Sequence, residues 1–202
     1  MLWEHEAAGS NPVAPTHKLM QGRSTMSTLN KMRWQKVGGE RIDNVAQYIR
    51  DYIDQHADLT TAFQLIVGCD SKSLGHNYAR YVTVICIYRI GRGAHLIFAR
   101  ENKVHVYSKG GMTPKAREQN MMKNRLWGEV YRAVDVTAYL DQEEIFYLDN
   151  IVKFDIHLDL NKKEMFRSNM ILDDAIGFVR AQGYECEVKP DSPAASFAAD
   201  RV

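Results

Sequence analysis

Apolar residues fall at Ile42, Val45, Ile49, Tyr52 and Ile53, with charged side chains between them. That spacing predicts an amphipathic helix from Arg41 to Ala57. The period then changes. Residues 62–69 form an apolar run, "FQLIVGC" at its centre, that reads as a buried strand ending at Asp70. "SKSLGHN" follows, polar and Gly-containing, and predicts a turn. "YARYVTVICIYRI" (78–90) is dense in β-branched and aromatic residues and predicts a second strand. "GRG" at 91–93 turns the chain, and "AHLIFARENKV" (94–104) makes a third. Three strands joined by short turns predict an antiparallel meander.

Beyond Gly110 the pattern becomes helical. Thr113 is placed as an N-cap, with Pro114 at the first helical position. Met122, Leu126, Val130, Ala133 and Thr137 form the stripe of a helix over 113–140. "FDIHLDL" (154–160) alternates and predicts a fourth strand, starting as early as Ile151. A helix over 167–183 stops at Gly183, a fifth strand spans 184–190, and a small-residue helix spans 193–201. Helices that separate strands four and five from their predecessors favour parallel crossovers. The expected class is therefore α/β: a mixed five-stranded sheet with helices on both faces.

Composition narrows the function only a little. The chain has 202 residues, 45% of them hydrophobic, enough for one core. With 26 basic and 25 acidic side chains the net charge is +1, so any polyanion must be held by a local patch. Cys69, Cys86 and Cys186 lack metal-ligand spacing and read as reduced core thiols of a cytoplasmic protein. No apolar run approaches the ~18 residues of a membrane span. Residues 1–31 stand apart, without periodicity. They read either as a disordered tail or as sequence translated from ahead of the true start codon, with Met20, Met26 or Met32 as the start. Residues 32–202 form the single expected domain.

Six acids occupy informative positions. Asp70 ends the first strand, and Glu129 borders the buried stripe of the long helix. Asp155, His157 and Asp159 share one face of the fourth strand. Asp191 follows the fifth strand, and Asp200 lies on the last helix. A strand-end Asp either caps a turn or holds a metal. If strands one and four are parallel neighbours, Asp70 and Asp159 end side by side, at the carboxyl ends where α/β sheets bind ligands. Clustered carboxylates repel one another, and a divalent cation removes that penalty. His157 is either a ligand, a proton carrier or a hydrogen-bonded, half-buried histidine.

"IVGCDSK", "RLWGEVYRAV", "IHLDLN" and "VKPDSPAASFAADR" resemble the RNase H-like YkuK family, over roughly Gly38 to Arg201. The last motif is the most specific. The resemblance implies the RNase H-like fold, with Asp70, Glu129, Asp159 and Asp200 holding Mg²⁺ or Mn²⁺. It also implies hydrolysis of nucleic-acid phosphodiesters by a two-metal route. Ser71, His157, Lys189 and Asp191 would contact substrate or support the ligands. Lys72, Arg80, Lys115, Arg117, Lys123 and Arg125 would give a basic rim. Cys69 stands where the family has Thr, and Lys72 where it has Gln. The alternative is a non-catalytic nucleic-acid-binding or adaptor domain on the same fold.

Overall fold

The computed structural model describes residues 32–108, 110–163 and 165–192. The chain opens with two short antiparallel strands, β1 (Trp34–Lys36) and β2 (Arg41–Ile42). Helix α1 (Val45–His56) therefore starts four residues later than its apolar stripe implies. Asn44 is the reason: its extended backbone ends the strand, and its side chain accepts a bond from the Gln47 amide at 3.0 Å. Ile42 is buried from the strand, so its apolarity suits both readings.

The meander comprises β3 (Phe63–Gly75), β4 (Tyr78–Arg89) and β5 (Gly93–His105). Here the structure corrects a boundary. The polar stretch after Asp70 is no turn but the outer part of β3, and the reversal is confined to His76 and Asn77. Both adopt positive φ, 47° and 65°, as a two-residue hairpin loop matching the strand twist requires. The long helix α2 (Pro114–Gln142) carries Thr113 as its N-cap, followed by a 3₁₀ turn at Ile145–Tyr147. Strand β6 (Ile151–Asn161), a second 3₁₀ turn (Arg167–Ile171), α3 (Leu172–Ala181) and β7 (Cys186–Lys189) complete the described chain. The expected helix over 193–201, and Asp200 with it, lies outside the described residues, as does the 1–31 extension.

The strands form one mixed sheet in the order β2-β1-β5-β4-β3-β6-β7. Its centre is the expected five-stranded arrangement, with β6 parallel to β3 and β7 parallel to β6. The pair β1–β2 extends it beyond β5. Helices α1, α2 and α3 bury their stripes in one cluster with Leu65, Val67 and Cys69 of β3 and Ile156, Leu158 and Leu160 of β6. By strand alternation, Ile66, Gly68 and Asp70, with Asp155, His157 and Asp159, belong to the opposite face. A smaller apolar cluster of Val82, Val84 and Phe98 sits on that face. Among the described residues no helix is long and apolar enough to cross a membrane.

Candidate metal centre

Two of the acids are brought together by strand register. β3 and β6 are central neighbours, and their parallel ladder ends at the pair Cys69↔Leu158. Asp70 and Asp159 are the next residues on each strand. Adjacent strands lie about 4.8 Å apart, so both carboxylates leave one spot on one face of the sheet. Asp70 accepts a bond from the Ser71 amide at 2.7 Å. Asp159 is held by Lys189 of β7, Nζ to Oδ1 at 2.5 Å. Ser192, almost fully buried, ties the chain after β7 to this end of β6 by donating its hydroxyl to the Leu158 carbonyl at 2.9 Å.

Glu129 approaches from the helix side. It is only 5% exposed, within the α2 stripe between Leu126 and Val130. The Ser71 hydroxyl donates to its carboxylate, and Arg125 Nη1 lies 3.3 Å from the same oxygen. Arg125 also donates to the Ser71 carbonyl and hydroxyl, each at 2.6 Å. Burial drives the Glu129 pKa up to about 8. The Ser71 bond and Arg125 oppose that rise, while the negative charges of Asp70 and Asp159 add to it. Asp70 and Asp159 thus both act electrostatically on Glu129.

Gly128 makes this approach possible. A Cβ there would sit 2.5 Å from the Tyr81 hydroxyl oxygen and 2.9 Å from Cζ. Without one, α2 lies close over β4, and Tyr81 Oη donates to the Arg125 carbonyl at 3.3 Å. Arg132 stacks 3.8 Å above the Tyr81 ring and pairs with Glu101 at 2.6 Å, closing the other side.

The remaining predicted residues fall differently. His157 is buried, 4% exposed, and its Nδ1 has no hydrogen-bond partner among the described residues. The ring is thus more deeply buried than the half-buried histidine among the sequence readings. Burial is the main cause that lowers its pKa to about 4. Asp155 is structural: it accepts from Gln64 at 2.6 Å and pairs with Lys153 at 2.9 Å. Asp191 is exposed and pairs with Lys162 at 3.3 Å, not with the other acids. Arg125 turns inward instead of lining a basic rim, a role its i,i+4 spacing to Glu129 signals in the sequence. Ser192 was also missed, since its motif drew attention only to the acids beside it. Cys69 and Cys86 are buried thiols, whereas Cys186 is only half-buried.

The donor set is all carboxylate oxygen, which suits Mg²⁺ or Mn²⁺. The repulsion recorded in the raised Glu129 pKa is what a divalent charge relieves. Even so, no group of three or more donors among the described residues is placed to hold a metal ion. Each carboxylate is instead turned to a nearby donor or cation: Asp70 to the Ser71 amide, Asp159 to Lys189, and Glu129 to Ser71 and Arg125.

A sequence model of Ribonuclease H-like proteins matches residues 44–202. The curated protein named "Uncharacterized protein YkuK" from Bacillus subtilis (strain 168) is 23% identical over 150 residues, 71% of this chain and 81% of that protein. No solved structure matches the chain significantly. A match over most of the chain, on a sheet with this strand order, shows that the protein belongs to the Ribonuclease H-like family and is YkuK-like within it.

Proposed function

We propose that this chain is a divalent-cation-dependent nuclease that hydrolyses phosphodiester bonds. The observation that carries the reading is the placement of Asp70 and Asp159. They follow the last paired residues of two adjacent parallel strands, close enough to Glu129 to raise its pKa. Asp70, Asp159 and Glu129, together with Asp200, would hold Mg²⁺ or Mn²⁺. Two such ions supply an activated water and stabilise the leaving oxygen of a phosphodiester. The protein's own share is positional. Rigid strands fix two carboxylates, and Ser71 with Arg125 orients the third. Lys189, now paired with Asp159, is placed to meet a substrate phosphate once a cation takes over that charge. The proposed nuclease unit is residues 32–202, and three free cysteines fit a cytoplasmic setting.

One observation favours the second reading, a nucleic-acid-binding domain without turnover. In the metal-free protein Lys189 already neutralises Asp159, and the buried Glu129 carboxyl is held by Ser71 and Arg125. The test is incubation of the full chain with labelled DNA and RNA oligonucleotides in Mn²⁺, Mg²⁺ or EDTA. Metal-dependent cleavage that Asp70→Asn abolishes supports the nuclease. Tight binding without cleavage in any metal supports the binding domain.

A further inference from the structure

Beyond Asp70 the β3–β4–β5 meander continues outward, and its register places cations side by side. On β3, Lys72 follows Asp70 on the same face, one strand pleat further along. It lies directly opposite Arg80 of β4. Asp70 itself lies opposite Val82, and Val82 opposite Arg100 of β5. Arg100, Arg80 and Lys72 therefore surround Asp70 on one face. Like charges directly opposite each other destabilise a sheet. Yet among the described residues no acid pairs with any of the three: Arg80 is held by the neutral Asn102 side chain at 2.7 Å, and Arg100 leans over the Phe98 ring at 5.7 Å. The Nε of Arg100 is buried and has no hydrogen-bond partner among the described residues.

The next level outward is aromatic. Tyr78 pairs with His105 across β4 and β5, ring centroids 5.6 Å apart and edge to face. Both are exposed, Tyr78 by 42%. A bulge at Asn102 and Lys103 sits opposite Arg80 and keeps His105 on this face. Moving away from Asp70, the surface thus presents carboxylates, then cations, then exposed rings. Each step is two residues, about 6.8 Å along a strand.

We propose that this face binds a single-stranded nucleic acid, its phosphates on Lys72, Arg80 and Arg100 and a base on Tyr78 and His105. The inference deepens the nuclease reading, and rests on it for the position of the scissile phosphate beside Asp70. Unpaired cations track a backbone, and an exposed ring offers a stacking platform to any unpaired base. In a duplex the bases are already stacked on one another and cannot use Tyr78.

The experiment measures fluorescence anisotropy of a labelled 20-nucleotide single strand and of its duplex, with full-length protein in EDTA over a salt series. The single strand should bind more tightly than the duplex. Lys72→Ala/Arg80→Ala should weaken single-strand binding about tenfold and lower the salt slope by roughly 1.4, two contacts at ~0.7 each. Tyr78→Ala should weaken it about tenfold with the slope unchanged. Arg41→Ala/Arg180→Ala removes the same charge from β2 and α3, where both cations are exposed and paired with acids, and should leave binding unaltered. Thermal melts verify that all variants fold, and relief of the opposed charges should raise the melting temperature of the Lys72/Arg80 variant slightly. Duplex preference, or equal losses in the two double variants, overturns the proposal. Binding is read without hydrolysis, so the two readings fail separately. A chain that binds in this way but never cleaves refutes only the nuclease. Cleavage with KM unchanged in the Lys72/Arg80 variant refutes only this surface.

Discussion

Glu129→Gln should remove a pH dependence of stability that Glu129 imposes on the metal-free protein. In the folded chain this carboxyl is buried and titrates near pH 8, against about 4.5 when exposed. Between those values the unfolded chain has released the proton and the folded chain still holds it. Stability therefore falls as pH rises through this window, and is fully retained only below the lower value. Each pH unit inside the window costs about 1.4 kcal/mol, so between pH 5 and pH 8 the loss reaches roughly 3 kcal/mol. For a chain of this length that is roughly 6–12 °C in melting temperature. Glutamine cannot ionise, and its carbonyl still accepts from Ser71 and Arg125. The assay is a set of thermal melts in EDTA at pH 5, 6, 7 and 8, read as variant minus parent. The difference cancels other titrating groups, among them His157, whose effect has the opposite sign. The variant should gain on the parent steadily as pH rises. Excess Mn²⁺ should flatten the parent's profile, because a divalent charge favours the ionised carboxylate. Parallel profiles for the two proteins in EDTA would refute the reasoning and mean that water or a cation already solvates Glu129.

Three further outcomes are expected. Asp70→Asn and Asp159→Asn should each abolish metal-dependent cleavage while keeping the fold; Mn²⁺ at a hundredfold excess over its dissociation constant should stabilise the parent by about 2.7 kcal/mol and either variant much less, so equal stabilisation would make these residues turn caps. Gly128→Ala should lower the melting temperature by a few degrees, because overpacking against buried Tyr81, about 1–3 kcal/mol, outweighs the ~1 kcal/mol gained in helix propensity; a more stable variant would show that Tyr81 moves aside freely. His157→Gln should reduce acid sensitivity: the histidine pKa is lowered to about 4, so its stabilisation is complete above its ordinary value near 6.5 and lost as pH falls toward 4. Melts of parent and variant between pH 4 and 7 check this, and identical acid limbs would contradict it.

Much of the fold was legible because each central element has one dominant period. The β-branched run of β4 and the stripe of α2 admit one reading each. Boundaries failed where two signals agree on composition and differ only in context. Ile42 fits a helix stripe and an edge strand equally well, and only the Asn44 cap decides. The tail of β3 is exposed and polar, so it reads as a turn; it is a strand because β4 supplies a partner for it residue by residue. Side-chain direction was harder still. Arg125 and Lys115 are both cations of one helix, yet Arg125 is held inside by Ser71 and Glu129.

Register decides the rest. Asp70 and Asp159 are 89 positions apart in sequence, and their proximity follows only once β6 pairs with β3 in parallel, with Cys69 opposite Leu158. A slip of one residue would turn Asp159 toward the helices and Leu158 away from them. The apolar residues Ile156, Leu158 and Leu160 oppose that slip, since all three are buried under α2 and α3. The same packing that holds the core together therefore aims the carboxylates. The opposed cations obey the same logic. A net charge of +1 conceals them, because composition counts charges and a sheet positions them. Lys72 and Arg80 meet through a two-residue loop whose positive φ values set the register of the whole hairpin. Lengthening that loop by one residue and shifting the ladder would separate Lys72 from Arg80 without changing the charge of the protein. The hairpin turn is thus as much a part of the proposed binding surface as the cations it aligns.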